Sequence, residues 1–285
     1  MSARIAIAAE VVGRHAVAAL REELETHPKP GLVSPGDPGA HGDMDARTFE
    51  ASVRALRGYF PAVARAAAEG ADLGALRALG VRAEHAMLRA TDGVNTHRGA
   101  IFLLGAVAAA AGRLAARGEV SSAPAVREEL RLVFCGAILR DLPRPRDTHG
   151  ALVERRHGAG GARGEAAAGF PHLFEVTLPA LEDALRRGAP RRAAAVQALL
   201  ACVAVLPDTN LLWRGGPAGL AFARAGARAF LGAGGVHRAG WELRARALHE
   251  ALVARRLSPG GSADLLAGAL FLHRLSSVAA EVRAA

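Results

Sequence analysis

The chain has 285 residues, 51% of them apolar and 4% aromatic, with two cysteines and a formal net charge of +9. Such a length buries a sizeable core, and so apolar a chain is not disordered. Cys135 and Cys202 lie in apolar helical contexts; two thiols in so long a chain make neither a disulfide framework nor a metal site by themselves.

The positive surplus calls for anionic company. A basic stripe interleaved with aromatics would point to nucleic acid. Tyr59 is the sole tyrosine and the arginines are scattered, so a pocket for phosphorylated small molecules fits better. Abundant alanine with scarce aromatics favours close-packed helices over a sandwich. Near the start, Glu10 and Arg14 interrupt the apolar run that a signal peptide needs.

Apolar periodicity predicts helices near 3–25, 45–69, 73–90, 97–117, 124–140, 173–187, 191–206, 217–231, 235–257 and 262–282. Leu76, Leu79, Ala83, Met87 and Ala90 form one stripe; Val196, Leu199, Leu200, Val203 and Leu206 form another. No alternating strand pattern stands out. The expectation is an all-α protein, one compact domain of about ten helices over residues 1–285. The longest uncharged apolar stretch, Gly99 to Gly112, falls short of the roughly 20 residues that span a bilayer. A soluble, cytoplasmic protein is expected.

The segments between helices carry the chemistry. THPKPGLVSPGDPGAHGDMD, residues 26–45, holds four prolines, four glycines, two histidines and three aspartates. Helix interiors reject Pro and Gly at about 3 and 1 kcal/mol each, so this is a long shaped loop. It contains Lys29, the only lysine among 36 basic residues, set between two prolines. In so arginine-biased a chain, one ammonium reads as a compact point charge that was wanted there.

Within that loop, His41, Asp43 and Asp45 alternate, which points all three to one side of an extended chain. Carboxylates are hard ligands suited to Mg²⁺ shared with substrate phosphates. The rival reading has Asp45 capping the helix that enters at Ala46 while Asp43 decorates the loop.

TDGVNTHRG (91–99) and DTNLLWRGG (208–216) share a pattern: Asp92 precedes Arg98-Gly99 by six residues, as Asp208 precedes Arg214-Gly215. Each set includes an asparagine, Asn95 or Asn210. Arg-Gly at a helix start offers a guanidinium, close backbone approach and free N–H groups, the ingredients of a phosphate site. His97 opens a helix whose positive end disfavours imidazolium, so a neutral ring is expected. Glu84 is either pocket-lining or solvated.

HGAGGARGEAAAGF (157–170) follows no strand and is no dinucleotide fingerprint. It reads as a flexible loop carrying Arg163 and Glu165, and the wider segment 141–172 as a mobile lid or a linker. SPGGSAD (258–264) starts the last helix, with Ser262 as its expected cap. There is no GxSxG, Walker A, HExxH or HD signature, so covalent nucleophilic catalysis has no support.

The stretches PKPGLVSPGDPGAHGDMD, AMLRATDGVNTHRGAIFLLG, GARGEAAAGFP, DTNLLWRGG and LSPGGSADLLA occur in order from residue 28 to about 268. Together they resemble the triphosphoribosyl-dephospho-CoA synthase family, which makes the prosthetic-group precursor of citrate lyase and malonate decarboxylase. The GVNTHRGAIF and LSPGGSADLLA wording is closer to the malonate decarboxylase branch. Two departures stand out: Trp213 where the family leads one to expect histidine, and Ser34-Pro35-Gly36 in place of an acidic and basic pair.

The resemblance implies that ATP and 3′-dephospho-CoA give 2′-(5″-triphosphoribosyl)-3′-dephospho-CoA and adenine, the 2′-hydroxyl attacking C1 of the ATP ribose. The product would pass to a phosphoribosyl-dephospho-CoA transferase acting on an acyl-carrier protein; neither nucleic acid nor membrane is implied, and a homo-oligomer is allowed. Mapped here, Asp43, Asp45 and Asp208 would hold Mg²⁺, with Asp43, Asp45 and Glu84 as catalytic carboxylates. Lys29, Asn95, His97, Arg98, Arg163, Asn210 and Arg214 would bind substrate phosphates. The rivals are a Mg²⁺-dependent helical ribosyl-bond hydrolase and a non-catalytic helical CoA or ATP sensor.

Overall fold

A computed structural model describes residues 3–136 and 149–284. Its helices are α1 (Ala3–Glu25), α2 (Ala46–Leu56), α3 (Tyr59–Ala68), α4 (Leu73–Ala90), α5 (Arg98–Ala116), α6 (Ala123–Glu129) and α7 (His149–His157). There follow α8 (Gly161–Ala167), α9 (Leu178–Arg186), α10 (Arg191–Val203), α11 (Thr209–Gly232), α12 (Trp241–Val253) and α13 (Gly260–Ala284). Among the described residues the β pairing is confined to one bridge, Ser34 to Asp37, inside the first loop. The fold is all-α.

The centre is α5, whose sequence is apolar on every side; a helix of that kind must be covered all round. Twelve of its nineteen residues are buried, and α1, α3, α4, α6 and α13 pack about it. By length and composition it would cross a membrane, but 67% of its most apolar window is already inside the protein. Its hydropathy is that of a core helix. At Gly112 an added Cβ would lie 2.0 Å from the Ala64 carbonyl oxygen, so α3 and α5 touch through backbone. One cluster of buried apolar residues runs from Ala9 to Leu275, and both apolar stripes read from the sequence contribute to it.

The differences from the expected elements have local causes. The helix expected over 45–69 breaks at Arg57-Gly58 into α2 and α3. The one expected over 217–231 begins at Thr209, because Asp208 caps it, and bends at Gly216 (φ 61°) before Pro217; proline withholds an N–H and crowds the preceding turn. The glycine-rich 157–170 segment is helical over much of its length, as the end of α7 and as α8. The first part of the expected lid, 141–148, lies outside the described residues.

Candidate active site

The loop 26–45, the 91–97 turn, α8 and the first turns of α11 and α13 converge on one cavity of about 1290 Å³. Pockets for one ligand run to roughly 300–1,000 Å³, so this one has room for two. Asp43, Glu84, Lys29, Asn95, His97, Arg98, Arg163, Asp208, Asn210 and Arg214 all line it. A second, more open groove of about 790 Å³ collects arginines of α1, α10 and α13 elsewhere. Glu22 ties two of them, Arg191 and Arg274, into ion pairs, and none of the polar loops reaches it beyond Thr26.

The deepest wall is ionic. Lys29 is 1% exposed, its Nζ donating to the Glu23 carbonyl at 2.8 Å and to Glu23 Oε1 at 2.5 Å. Burial pulls the ammonium's pKa down and Glu23 partly restores it. The ammonium foreseen as a free phosphate clamp is therefore a buried half of an ion pair. His97 lies alongside, with Ser52 Oγ 2.7 Å from Nδ1 and Phe49 edge-on at 4.9 Å. Burial and then Lys29 push its pKa down to about 3, so the ring is neutral, as expected. His97 Nε2, Thr96 Oγ1 and Arg98 Nε have no protein partner though buried. A buried polar atom left unpaired costs roughly 1–3 kcal/mol, which a polar ligand here would relieve.

Asp208 is 1% exposed and saturated. Oδ1 accepts from the Asn210 and Leu211 N–H groups at 2.9 and 3.4 Å; Oδ2 accepts from Ser262 N–H and Oγ at 2.8 and 2.9 Å. One carboxylate thus joins the positive N-terminal turns of α11 and α13. Burial raises its pKa against those donors. Ser262, expected as the cap of the last helix, instead sits in its first turn and donates to Asp208.

At the mouth, Arg214 donates from NH1 to the carbonyls of Ala40 and Arg256 and from NH2 to His41 Nδ1, at 3.0, 3.2 and 3.0 Å. A guanidinium only donates, so the His41 proton sits on Nε2, 2.9 Å from Ser258 Oγ. Burial, then Arg214, hold that imidazole below its usual pKa. Asp43 stands 3.5 Å from Nδ1 with its side chain 63% exposed. Nearby, Glu84 pairs with Arg98 at 2.5 Å and Asn95 Oδ1 accepts the Arg98 N–H at 3.1 Å.

Asp45 departs from the proposed metal set. It is the N-cap of α2, accepting from Thr48 N–H at 2.9 Å in a reciprocal capping box, and it is absent from the cavity wall. Its hydrogen bonds to Thr48 hold its pKa below the usual range. With Asp45 capping and Asp208 saturated, the three carboxylates do not converge as a cation cage, and among the described residues no group of three His, Cys, Asp or Glu does so. Asp43 alone of the three caps no helix.

The structure also places residues that the sequence reading passed over. Glu23, Ser52 and Ser258 touch the predicted residues, and Asp264 lines the cavity. Asp264 is enclosed by protein yet keeps surface toward the void. It accepts a hydrogen bond from the Ala100 N–H, and burial, followed by Glu23 and Asp208, lifts its pKa well above the ordinary value. The signal was in the SPGGSAD stretch, read only for its capping serine.

Fold and cavity together define an all-α protein with one wide pocket whose lining includes Arg98, Arg163 and Arg214. The family model described as "ATP:dephospho-CoA triphosphoribosyl transferase" matches residues 9–282; the chain belongs to that family. Similar proteins, each named "Probable 2-(5''-triphosphoribosyl)-3'-dephosphocoenzyme-A synthase", include one from Stutzerimonas stutzeri, 44% identical over 95% of this chain and 94% of the relative. One from Pseudomonas paraeruginosa is 43% identical over 91% and 89%, and one from Vibrio cholerae 39% identical over 93% and 88%. No solved structure matches.

Proposed function

We propose that this enzyme transfers the 5-triphosphoribosyl group of ATP to the 2′-hydroxyl of 3′-dephospho-CoA and releases adenine. The observation that carries the reading is that five ordered sequence motifs meet in one cavity with room for two ligands. Both ligands are polyanions, and Arg98, Arg163 and Arg214 line the wall. The hydroxyl oxygen bonds to C1 of the ribose as the C1–N9 bond breaks, in a single displacement. A developing oxocarbenium ion is favoured beside carboxylates, and the deep wall supplies Glu23, Asp208 and Asp264. His97, neutral near pH 7, is suited to a hydrogen bond to substrate without adding charge.

Magnesium, in this proposal, arrives as the counter-ion of the triphosphate, met at the mouth near Asp43; no protein cage is needed for it. The wording of the GVNTHRGAIF and LSPGGSADLLA stretches favours a product destined, through a second transferase, for the acyl-carrier protein of malonate decarboxylase, in the cytoplasm. Chromatography of adenine from purified protein with MgATP tests the reaction. Adenine that requires dephospho-CoA, together with the adduct mass, supports transfer. Adenine or another cleavage product without dephospho-CoA makes the protein a hydrolase; binding with no turnover makes it a sensor.

A further inference from the structure

We infer that Asp264 is the base that takes the proton from the attacking hydroxyl, an assignment that rests on the transfer reaction above. The cavity's other carboxylates are committed or remote. Glu23 is paired with Lys29, Glu84 with Arg98, and Glu165 with His172, each at 2.5 Å. Asp208 holds four donors. Asp43, Asp92 and Glu154 are exposed. Asp264 is enclosed, touches the cavity and accepts from a single backbone N–H, at the start of α5. It therefore keeps an oxygen for substrate.

Its position also suits the reacting centre. An added Cβ at Gly99 would lie 1.9 Å from Asp264 Oδ2, so only glycine lets the carboxylate rest against this helix start. Arg98 is the preceding residue, which sets a phosphate-binding cation beside the base. The charged and titratable groups around it are Glu23 on α1 and Asp208 at the head of α11, with Lys29 and His97 next to Glu23 in the same wall. Burial first, and then the two neighbouring carboxylates, raise the proton affinity of Asp264, which strengthens it as a proton acceptor. The balance is simple: the hydroxyl proton moves to Asp264, the oxygen bonds to C1, and the C1–N9 pair leaves with adenine. Adenine takes one proton from water and Asp264 returns one.

The test compares Asp264→Asn with wild type for adenine formation, ATP binding and thermal midpoint. Turnover should fall roughly 10²–10⁴-fold, with ATP affinity within about threefold. The midpoint should stay level or rise, because an unpaired buried charge has been removed. Wild-type kcat/KM should drop as pH falls through a value above the ordinary carboxylate pKa, since the ionised form is the base, and the residual Asp264→Asn activity should lack that limb. Asp264→Ala should recover turnover with added formate, which a structural role does not predict. Asp264→Asn turnover within about threefold of wild type, or an acid limb that survives it, overturns the assignment while leaving the transfer reaction standing. A wild type that makes no adenine with both substrates overturns the reaction itself.

Discussion

The floor of the cavity and its mouth use the same residue types to opposite effect. At the floor, Glu23, Lys29, Asp208 and His97 are buried and Asp264 is half-buried with surface only partly open to the cavity, and each has a pKa or a partner set by burial. At the mouth, Asp43, Glu84, Arg98 and Arg214 are partly hydrated, so their charges are screened and their partners exchangeable. Low dielectric makes a charge expensive to strand and strong when opposed. The floor is accordingly where a proton can be held and moved, and the mouth where polyanions can be gathered and let go.

Substitutions at the two levels should separate these roles. Lys29→Met leaves Glu23 ionised and alone, which costs about 3–5 kcal/mol; denaturant unfolding should show that loss, and adding Glu23→Gln should recover most of it. A single variant as stable as wild type would mean the buried pair is not coupled. Asp208→Ala removes the acceptor for two helix starts, at about 1–2 kcal/mol each, or roughly 3 kcal/mol together; a loss under 1 kcal/mol would show that water replaces the carboxylate. At the mouth, Arg214→Gln should raise the KM for ATP roughly tenfold to a hundredfold, with little change in stability. Smallest is Asp45→Ala, which should cost about 1 kcal/mol as a lost cap and leave kcat/KM within about twofold. A large loss of turnover there would return Asp45 to the metal set.

The mouth was legible in the sequence because its residues sit in loops that helical periodicity throws into relief. Pro and Gly mark residues 26–45, and Arg-Gly pairs mark the start of α5 and the bend of α11. The floor was less so. Asp264 lies in the first turns of α13, where a carboxylate reads as ordinary capping or dipole chemistry. Glu23 falls in the last turn of α1, seven residues before Pro30, with nothing local to announce its partner. Asp208 was visible, but its role depends on Ser262, 54 residues away, and no spacing rule connects two helix N-termini that meet only in three dimensions. The 209–216 segment was read as a loop because Gly215, Gly216 and Pro217 outweighed its cap. Tertiary capping by Asp208 decided otherwise.

The division between floor and mouth is tested most directly by steady-state kinetics of Asp264→Asn and Arg214→Gln, with ATP varied at saturating dephospho-CoA. The account predicts that Asp264→Asn loses kcat by at least about a hundredfold with KM nearly unchanged, and that Arg214→Gln raises KM with kcat within a few fold. The reverse pattern, kcat lost at the mouth and KM raised at the floor, would contradict it.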